Sequence, residues 1–228
     1  MPDEKEIYQS HADQYDLLVM REDYLNQIPI QIDKIRPLDG LNIIELGMGT
    51  GRLTRILSQR SNFIHACDSS FHMLTHATHV LNAHSNISYC LADMRLTPFK
   101  ARQADMVLAG WSFCYLAVWS GQQWWVELER GMVEIRRLLK PGGTAIFFEN
   151  FGTGFDSPNP PEHLKEYFKF LNDSGFQSGW FRTDYQFISI QEAVELSDLF
   201  FGEDLAEKIK AQQWSILPEC TGIFWLTL

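Results

Sequence analysis

The run Ile43-Ile44-Glu45-Leu46-Gly47-Met48-Gly49-Thr50-Gly51-Arg52-Leu53 decides the fold. Its first four residues are short, mostly apolar and bounded by glycine, the pattern of a strand buried on both faces. Three alternating glycines follow, and Leu53, Ile56 and Leu57 then recur at helical spacing. Glycine takes positive φ freely and lets a ligand approach the backbone without meeting a Cβ. Unpaired amides at the start of the next helix favour polar or negative groups. Strand, glycine turn and helix in this order make a cradle for a nucleotide-type cofactor. The dinucleotide fingerprint needs a further glycine at position 52, where Arg52 stands, which argues against NAD or FAD.

Outward from this run, short strands alternate with amphipathic helices. Phe63 to Cys67, Ile87 to Leu91, Met106 to Ala109 and Thr144 to Glu149 read as strands. Met73, Leu74, Ala77, Val80 and Leu81 form one helical stripe; Trp125, Leu128, Met132, Ile135 and Leu139 form another, stopped by Lys140-Pro141-Gly142-Gly143. Such alternation predicts a doubly wound α/β sheet of mostly parallel strands. Glu4–Leu18 and Glu22–Ile35 read as helices of an N-terminal cap. Beyond Phe151 a Pro/Gly-rich stretch leads to a helix over Glu162–Asn172 and a strand over Trp180–Ile188. Helices over Gln191–Phe200 and Glu203–Gln213 follow, then a last strand from Gly222 to Leu228. The expected organisation is one domain: a helical cap (1–40), a cofactor-binding core (41–150) and a C-terminal part (151–228) that completes the sheet and covers the substrate.

The 228 residues, 45% of them hydrophobic, suffice for a large globular core. No apolar run approaches the roughly 20 residues of a membrane span, and the charged N-terminus has no signal-peptide character, so a cytoplasmic protein is expected. A net charge of −10 without a basic stretch points away from nucleic acid and towards a small-molecule partner. Cys67, Cys90, Cys114 and Cys220 form no CxxC pair and are expected reduced and buried. His72, His76 and His79 share a helix face opposite the apolar stripe; a solvated face is expected of them rather than a metal site.

Four motifs in order resemble the class I S-adenosylmethionine-dependent methyltransferases, specifically the small-molecule group similar to the ubiquinone/menaquinone-biosynthesis enzymes (methyltransferase type 11 domain). They are Glu45 to Gly51; Cys67-Asp68-Ser69-Ser70-Phe71-His72-Met73-Leu74; Leu91-Ala92-Asp93-Met94-Arg95-Leu96-Thr97-Pro98-Phe99; and Ala104-Asp105-Met106-Val107 with Leu138-Leu139-Lys140-Pro141-Gly142-Gly143. Met48 departs from the cysteine or other small residue common in that family. The resemblance implies a Rossmann-like, mostly parallel seven-stranded sheet whose last strand is antiparallel.

It also implies a site for S-adenosylmethionine, leaving S-adenosylhomocysteine as product. Gly47, Met48, Gly49 and Gly51 form the turn, and Glu45 holds it or the methionine ammonium. Asp68, beside Ser69, accepts both ribose hydroxyls. Asp93 and the Met94 backbone meet the adenine edge, Met73 packs on the adenine face, and Gly110 offers its carbonyl to the ammonium. His11-Ala12-Asp13-Gln14-Tyr15-Asp16 resembles the family's cap, with Tyr15, and more weakly Tyr8, closing over the cofactor.

Methyl transfer dictates no single catalytic residue, since a base is needed only when the attacking atom binds protonated. Trp111, Tyr115 and His163, just past the strand ends, are the weak candidates for acceptor contacts or catalysis. Trp119, Trp124 and Trp125 are expected to pack the next helix, and Trp180 to Tyr185 to help cover the substrate. A catalytically silent S-adenosylmethionine-binding module that regulates or scaffolds a partner stands as the alternative.

Overall fold

The computed structural model describes residues 11–228; Tyr8 and the first part of the expected first cap helix, residues 4–10, lie outside them. Among the described residues the helices are α1 (Ala12–Val19), α2 (Gln27–Ile35), α3 (Arg52–Ser58), α4 (Phe71–Val80), α5 (Tyr115–Val118), α6 (Trp124–Leu138), α7 (Lys165–Asp173), α8 (Ile190–Phe201) and α9 (Glu203–Gln212). The strands are β1 (Asn42–Leu46), β2 (Phe63–Asp68), β3 (Ile87–Leu91), β4 (Ala104–Gly110), β5 (Leu139–Thr153), β6 (Gln177–Arg182), β7 (Tyr185–Gln186), β8 (Ile216–Leu217) and β9 (Glu219–Thr227).

Seven strands form one sheet in the order β3-β2-β1-β4-β5-β9-β6. β1 to β5 pair in parallel, while β9 runs antiparallel between β5 and β6. The chain winds outward through β1, β2 and β3, then returns to β4 on the other side of β1. That reversal opens a crevice at the carboxyl ends of β1 and β4, where α/β sheets bind ligands.

Both faces of the sheet are covered. Phe147 and Phe148 are adjacent in β5 and fully buried in different clusters, because neighbouring side chains leave a strand on opposite faces. On one face, Leu128, Met132, Ile135 and Leu138 of α6 pack with Tyr167 and Leu171 of α7. On the other, Ile28 and Ile32 of α2, Leu53 and Leu57 of α3, and Ala77 of α4 close the second layer. A third, smaller cluster joins Leu18 of α1 to Tyr185, Phe187, Leu196, Ile209 and Leu217. The last segment thus forms a separate roof, the α8–α9 pair with the two-stranded β7–β8 ladder, tied to the cap by Arg21–Glu192 at 2.7 Å.

Two expected elements differ in extent. The second cap helix starts at Gln27, not Glu22, because Asp23 and Asn26 hold left-handed backbone (φ 59° and 53°). The Asp23 carboxylate accepts the Gln27 and Ile28 amides at 2.7 and 2.9 Å and so caps the helix. The strand expected over Trp180–Ile188 splits into β6 and β7. Arg182 and Asp184 pair across the break at 2.6 Å, and the Thr183 amide leaves towards Glu219.

Of the histidine face, His72 and His79 are exposed as expected, while His76 is half-buried. His76 Nδ1 lies 2.9 Å from Asp13 and Nε2 3.4 Å from Asp16, and the Ala12 amide donates to His72 Nε2 at 3.4 Å. These contacts join α4 to α1. The periodicity showed which face the core leaves free; it carried no information about a second helix returning to cover it. The four cysteines form no disulfide, and Cys90 is only half-buried.

Candidate active site

β1 ends at Leu46, and the chain turns through Gly47 (φ 72°) and Gly49 (φ 55°) into α3. A Cβ on Gly47 would lie 2.5 Å from the Ser112 Cβ, so only glycine lets this turn sit against the end of β4. A Cβ on Gly49 would meet only Tyr15, at 3.8 Å, and would otherwise project into a cavity of ≈ 300 Å³. The Gly49 amide donates to Asp68 Oδ2 at 2.8 Å, and the Ser70 amide to Oδ1 at 2.8 Å. The strand-end acid therefore locks the turn as well as facing the cavity. Burial raises the Asp68 pKa, against amide hydrogen bonds that pull it down. Glu45 is buried beneath the turn, accepts from Thr54 Oγ1 at 2.6 Å and is pushed up to about 8 by desolvation. Thr50 Oγ1, also on this cavity, is buried without a hydrogen-bond partner.

The cavity collects most of the residues expected of a cofactor site. Tyr15, Glu45, Gly47, Met48 and Gly49 line its cap and turn side, Asp68 and Ser69 the end of β2, Asp93 and Met94 the end of β3, and Gly110 the end of β4. Gly51 and Met73 do not line it. Gly51 is the residue before α3, where an added Cβ would strike Leu81 at 2.5 Å. Met73 is 1% exposed and turned into the protein on the first turn of α4. Gly110 carries a packing role as well, since a Cβ there would lie 2.3 Å from Leu53 Cδ1.

Asp93 is not a bare acceptor. Arg95 Nε contacts its oxygens at 2.9 and 3.1 Å and also pairs with Glu127, and the Arg95 guanidinium holds Asp93 below the usual carboxylate range. Trp119, expected to pack the next helix, instead borders the cavity with its ring stacked on Tyr115 at 4.4 Å.

A second cavity of ≈ 240 Å³ adjoins the first; both are lined by Tyr15, Val19, Arg52, Trp111 and Tyr115. Trp111 follows β4 in a left-handed conformation (φ 50°), a strain that a bulky residue keeps only where its surroundings enforce it. Phe148 stacks on its ring at 5.6 Å, and the Arg52 guanidinium lies 4.0 Å over it. Arg52 also pairs with Glu22 at the end of the cap. The residue that breaks the dinucleotide fingerprint thus lines both cavities.

Trp111, Tyr115 and His163 all reach the second cavity, His163 from an exposed turn (Glu162–Leu164). Sequence reasoning missed Glu22, Phe200, Phe201 and Glu219 of its wall. Of the stretch expected to cover the substrate, Tyr185 lines the cavity while Trp180 is 48% exposed on β6. Glu149, a candidate as the last residue of the strand expected over Thr144 to Glu149, stands inside β5, which runs on to Thr153; Glu219 and Phe200 carried no local signal.

Comparison with known proteins agrees with this architecture. Residues 44–147 match the family model described as the methyltransferase domain. A malonyl-[acyl-carrier protein] O-methyltransferase from Marinomonas is 34% identical over 107 residues, 46% of this chain and 36% of that protein. The match therefore spans about a third of the relative's length. A methyltransferase structure from Aquifex aeolicus superposes with TM-score 0.59 at 16% identity, covering 95% of this chain and 98% of that one. Phosphoethanolamine N-methyltransferase 2 of Haemonchus contortus gives 0.62 at 15% identity, over 99% of this chain and 58% of that one. These two likenesses establish the fold.

Proposed function

We propose that this chain, whose residues 44–147 match the methyltransferase domain model, uses S-adenosylmethionine to methylate a small molecule held in the second cavity. The observation that carries the reading is the pair of cavities meeting at Trp111 and Tyr15, one floored by the glycine turn, the other walled by aromatic rings. The residues fit the cofactor: Gly49 leaves the space a side chain would fill, and Thr50 offers a buried, unpartnered hydroxyl.

In this reading Asp68 takes the ribose hydroxyls, Asp93 and the Met94 backbone take the adenine edge, and the Gly110 carbonyl faces the ammonium. Tyr15 closes the cavity from the cap. When bound, the cofactor supplies an electrophilic methyl group on a sulfonium. The protein's part is to exclude water and align the acceptor, which the roof of α8 and α9 and the Trp111 partition are placed to do.

A single domain acting in the cytoplasm on a free or carrier-linked small molecule, and not on nucleic acid, completes the proposal; the net charge of −10 supports it. Among the described residues no helix is long and apolar enough to cross a membrane. Calorimetric titration with S-adenosylmethionine and separately with NADH tests the cofactor. Micromolar binding of the first alone, with S-adenosylhomocysteine released once an acceptor is added, is the expected result. Binding without release in a broad acceptor screen favours the silent module, and binding of NADH alone removes the reading.

A further inference from the structure

Three carboxylates from distant parts of the chain, Glu22, Glu149 and Glu219, meet on the second cavity. The only guanidinium among its described lining residues, Arg52, is already paired with Glu22 and lies over Trp111. Glu149 and Glu219 are each 1% exposed. Glu149 Oε1 accepts from the Tyr167 hydroxyl at 2.6 Å and the carboxyl draws support from the Cys114 thiol and amide, while Oε2 makes no hydrogen bond of normal geometry. Glu219 has Thr153 and Glu22 beside it, and its Oε2 likewise has none. A buried carboxyl oxygen without a donor is destabilising unless a ligand supplies the donor.

We propose that the methyl acceptor presents an amino group to Glu149 and Glu219, with the Phe200 ring beside its cationic form, and that the site selects amines over carboxylates. This deepens the methyltransferase reading and rests on it. An ammonium provides up to three N–H donors, enough for both orphan oxygens, and gains from aromatic faces in a site withdrawn from water. A carboxylate would enter a cavity with three acids and no uncommitted guanidinium. Burial raises both carboxyls, Glu149 to about 7, which marks how poorly the ligand-free cavity supports their charge. The bound ammonium has no lone pair, so it first gives one N–H proton to Glu149. The neutral nitrogen then bonds to the methyl carbon as the carbon–sulfur bond breaks, leaving a methylated ammonium and a thioether. The relative named for O-methylation of a malonyl group matches only 46% of this chain, so its acceptor chemistry need not carry over.

The test uses the full chain loaded with S-adenosylhomocysteine, titrated at pH 8 with benzylamine and, as the matched anion, benzoate. Benzylamine is expected to bind at least tenfold more tightly than benzoate. The Glu149→Gln, Glu219→Gln double variant is expected to lose at least tenfold for the amine while keeping its affinity for S-adenosylhomocysteine, which also shows that it is folded. Equal or tighter benzoate binding overturns the proposal, as does an amine affinity unchanged in the double variant or no amine binding at millimolar concentration. Failure of the unmodified protein to bind S-adenosylhomocysteine is a separate outcome that removes the methyltransferase reading itself.

Discussion

The two cavities share a wall yet are assembled in opposite ways. The first takes its polar residues from the ends of β1, β2, β3 and β4 in chain order, each strand end delivering one or two groups to the same crevice. The second draws on the cap, the start of α3, the loop after β4, the end of β5, the turn near His163, β7, the end of α8 and the start of β9. In the first, polar atoms are mostly satisfied by neighbouring backbone, as when Gly49 and Ser70 amides hold Asp68. In the second, two carboxyls stand buried with one oxygen each unpartnered. A cofactor common to many enzymes can be met by short contiguous motifs, whereas a particular acceptor is met by whatever the later chain folds over the crevice.

Substitutions that strike one cavity and spare the other sharpen this contrast, and those that strike both would break it. Gly49→Val has the largest expected effect. A β-branched residue at φ 55° is strained and its side chain enters the cofactor cavity. Cofactor affinity is expected to fall by more than about 1,000-fold, on the order of 4 kcal/mol. Normal binding by a folded variant in calorimetry would show that the turn is not the cofactor's seat.

Glu149→Gln acts next, and on the other cavity. Burial raises the Glu149 pKa from 4.5 to about 7, so the folded state holds a proton that the unfolded chain has released. Stability is therefore drained as pH climbs from about 4.5 to 7. The glutamine variant escapes this drain while its amide oxygen still accepts from Tyr167. Relative to the parent it should gain about 3 kcal/mol between pH 4 and pH 8, read from denaturant unfolding at both pH values. A gain independent of pH would mean that the carboxyl is not the titrating group.

Asp68→Ala removes both the expected ribose acceptor and the brace on the glycine turn. A loss of about 2 kcal/mol in cofactor binding, roughly 30-fold, is expected. An unchanged dissociation constant removes Asp68 from the site. His76→Ala is the smallest. Its partner Asp13 is largely exposed, so the tie between α4 and the cap contributes below about 1 kcal/mol to stability. The informative readout is whether cofactor affinity drops a few-fold as Tyr15 loses its anchorage; a drop for the amine alone would assign the cap to the acceptor side.

The sheet and the cofactor crevice were legible because their signals are local. Buried parallel strands read as short apolar runs, a glycine turn has a fixed spacing to its strand and helix, and an acid at a strand end stands where the topology opens. Met73 was misplaced because helical periodicity does not say which of two packed neighbours an apolar side chain turns towards; here it faces the core under the Ser70 cap, not the crevice. The partial covering of His76 was missed for a related reason, since the helix that packs on it arrives from a distant part of the chain. The strand over Trp180–Ile188 was joined across a break made by Arg182 and Asp184, an ion pair with no hydropathic signature.

By itself, then, the sequence determined the winding of the sheet, the glycine turn and the acids beside it, because each depends on residues within one strand–helix unit. The tertiary structure alone decided that Arg52 lines both cavities, that Trp111 is held in a left-handed backbone between them, and that Glu22, Glu149 and Glu219 come together on the second. Those residues lie up to 197 positions apart (Glu22 to Glu219), and their burial and electrostatics exist only once α8, α9 and the cap have excluded water around them.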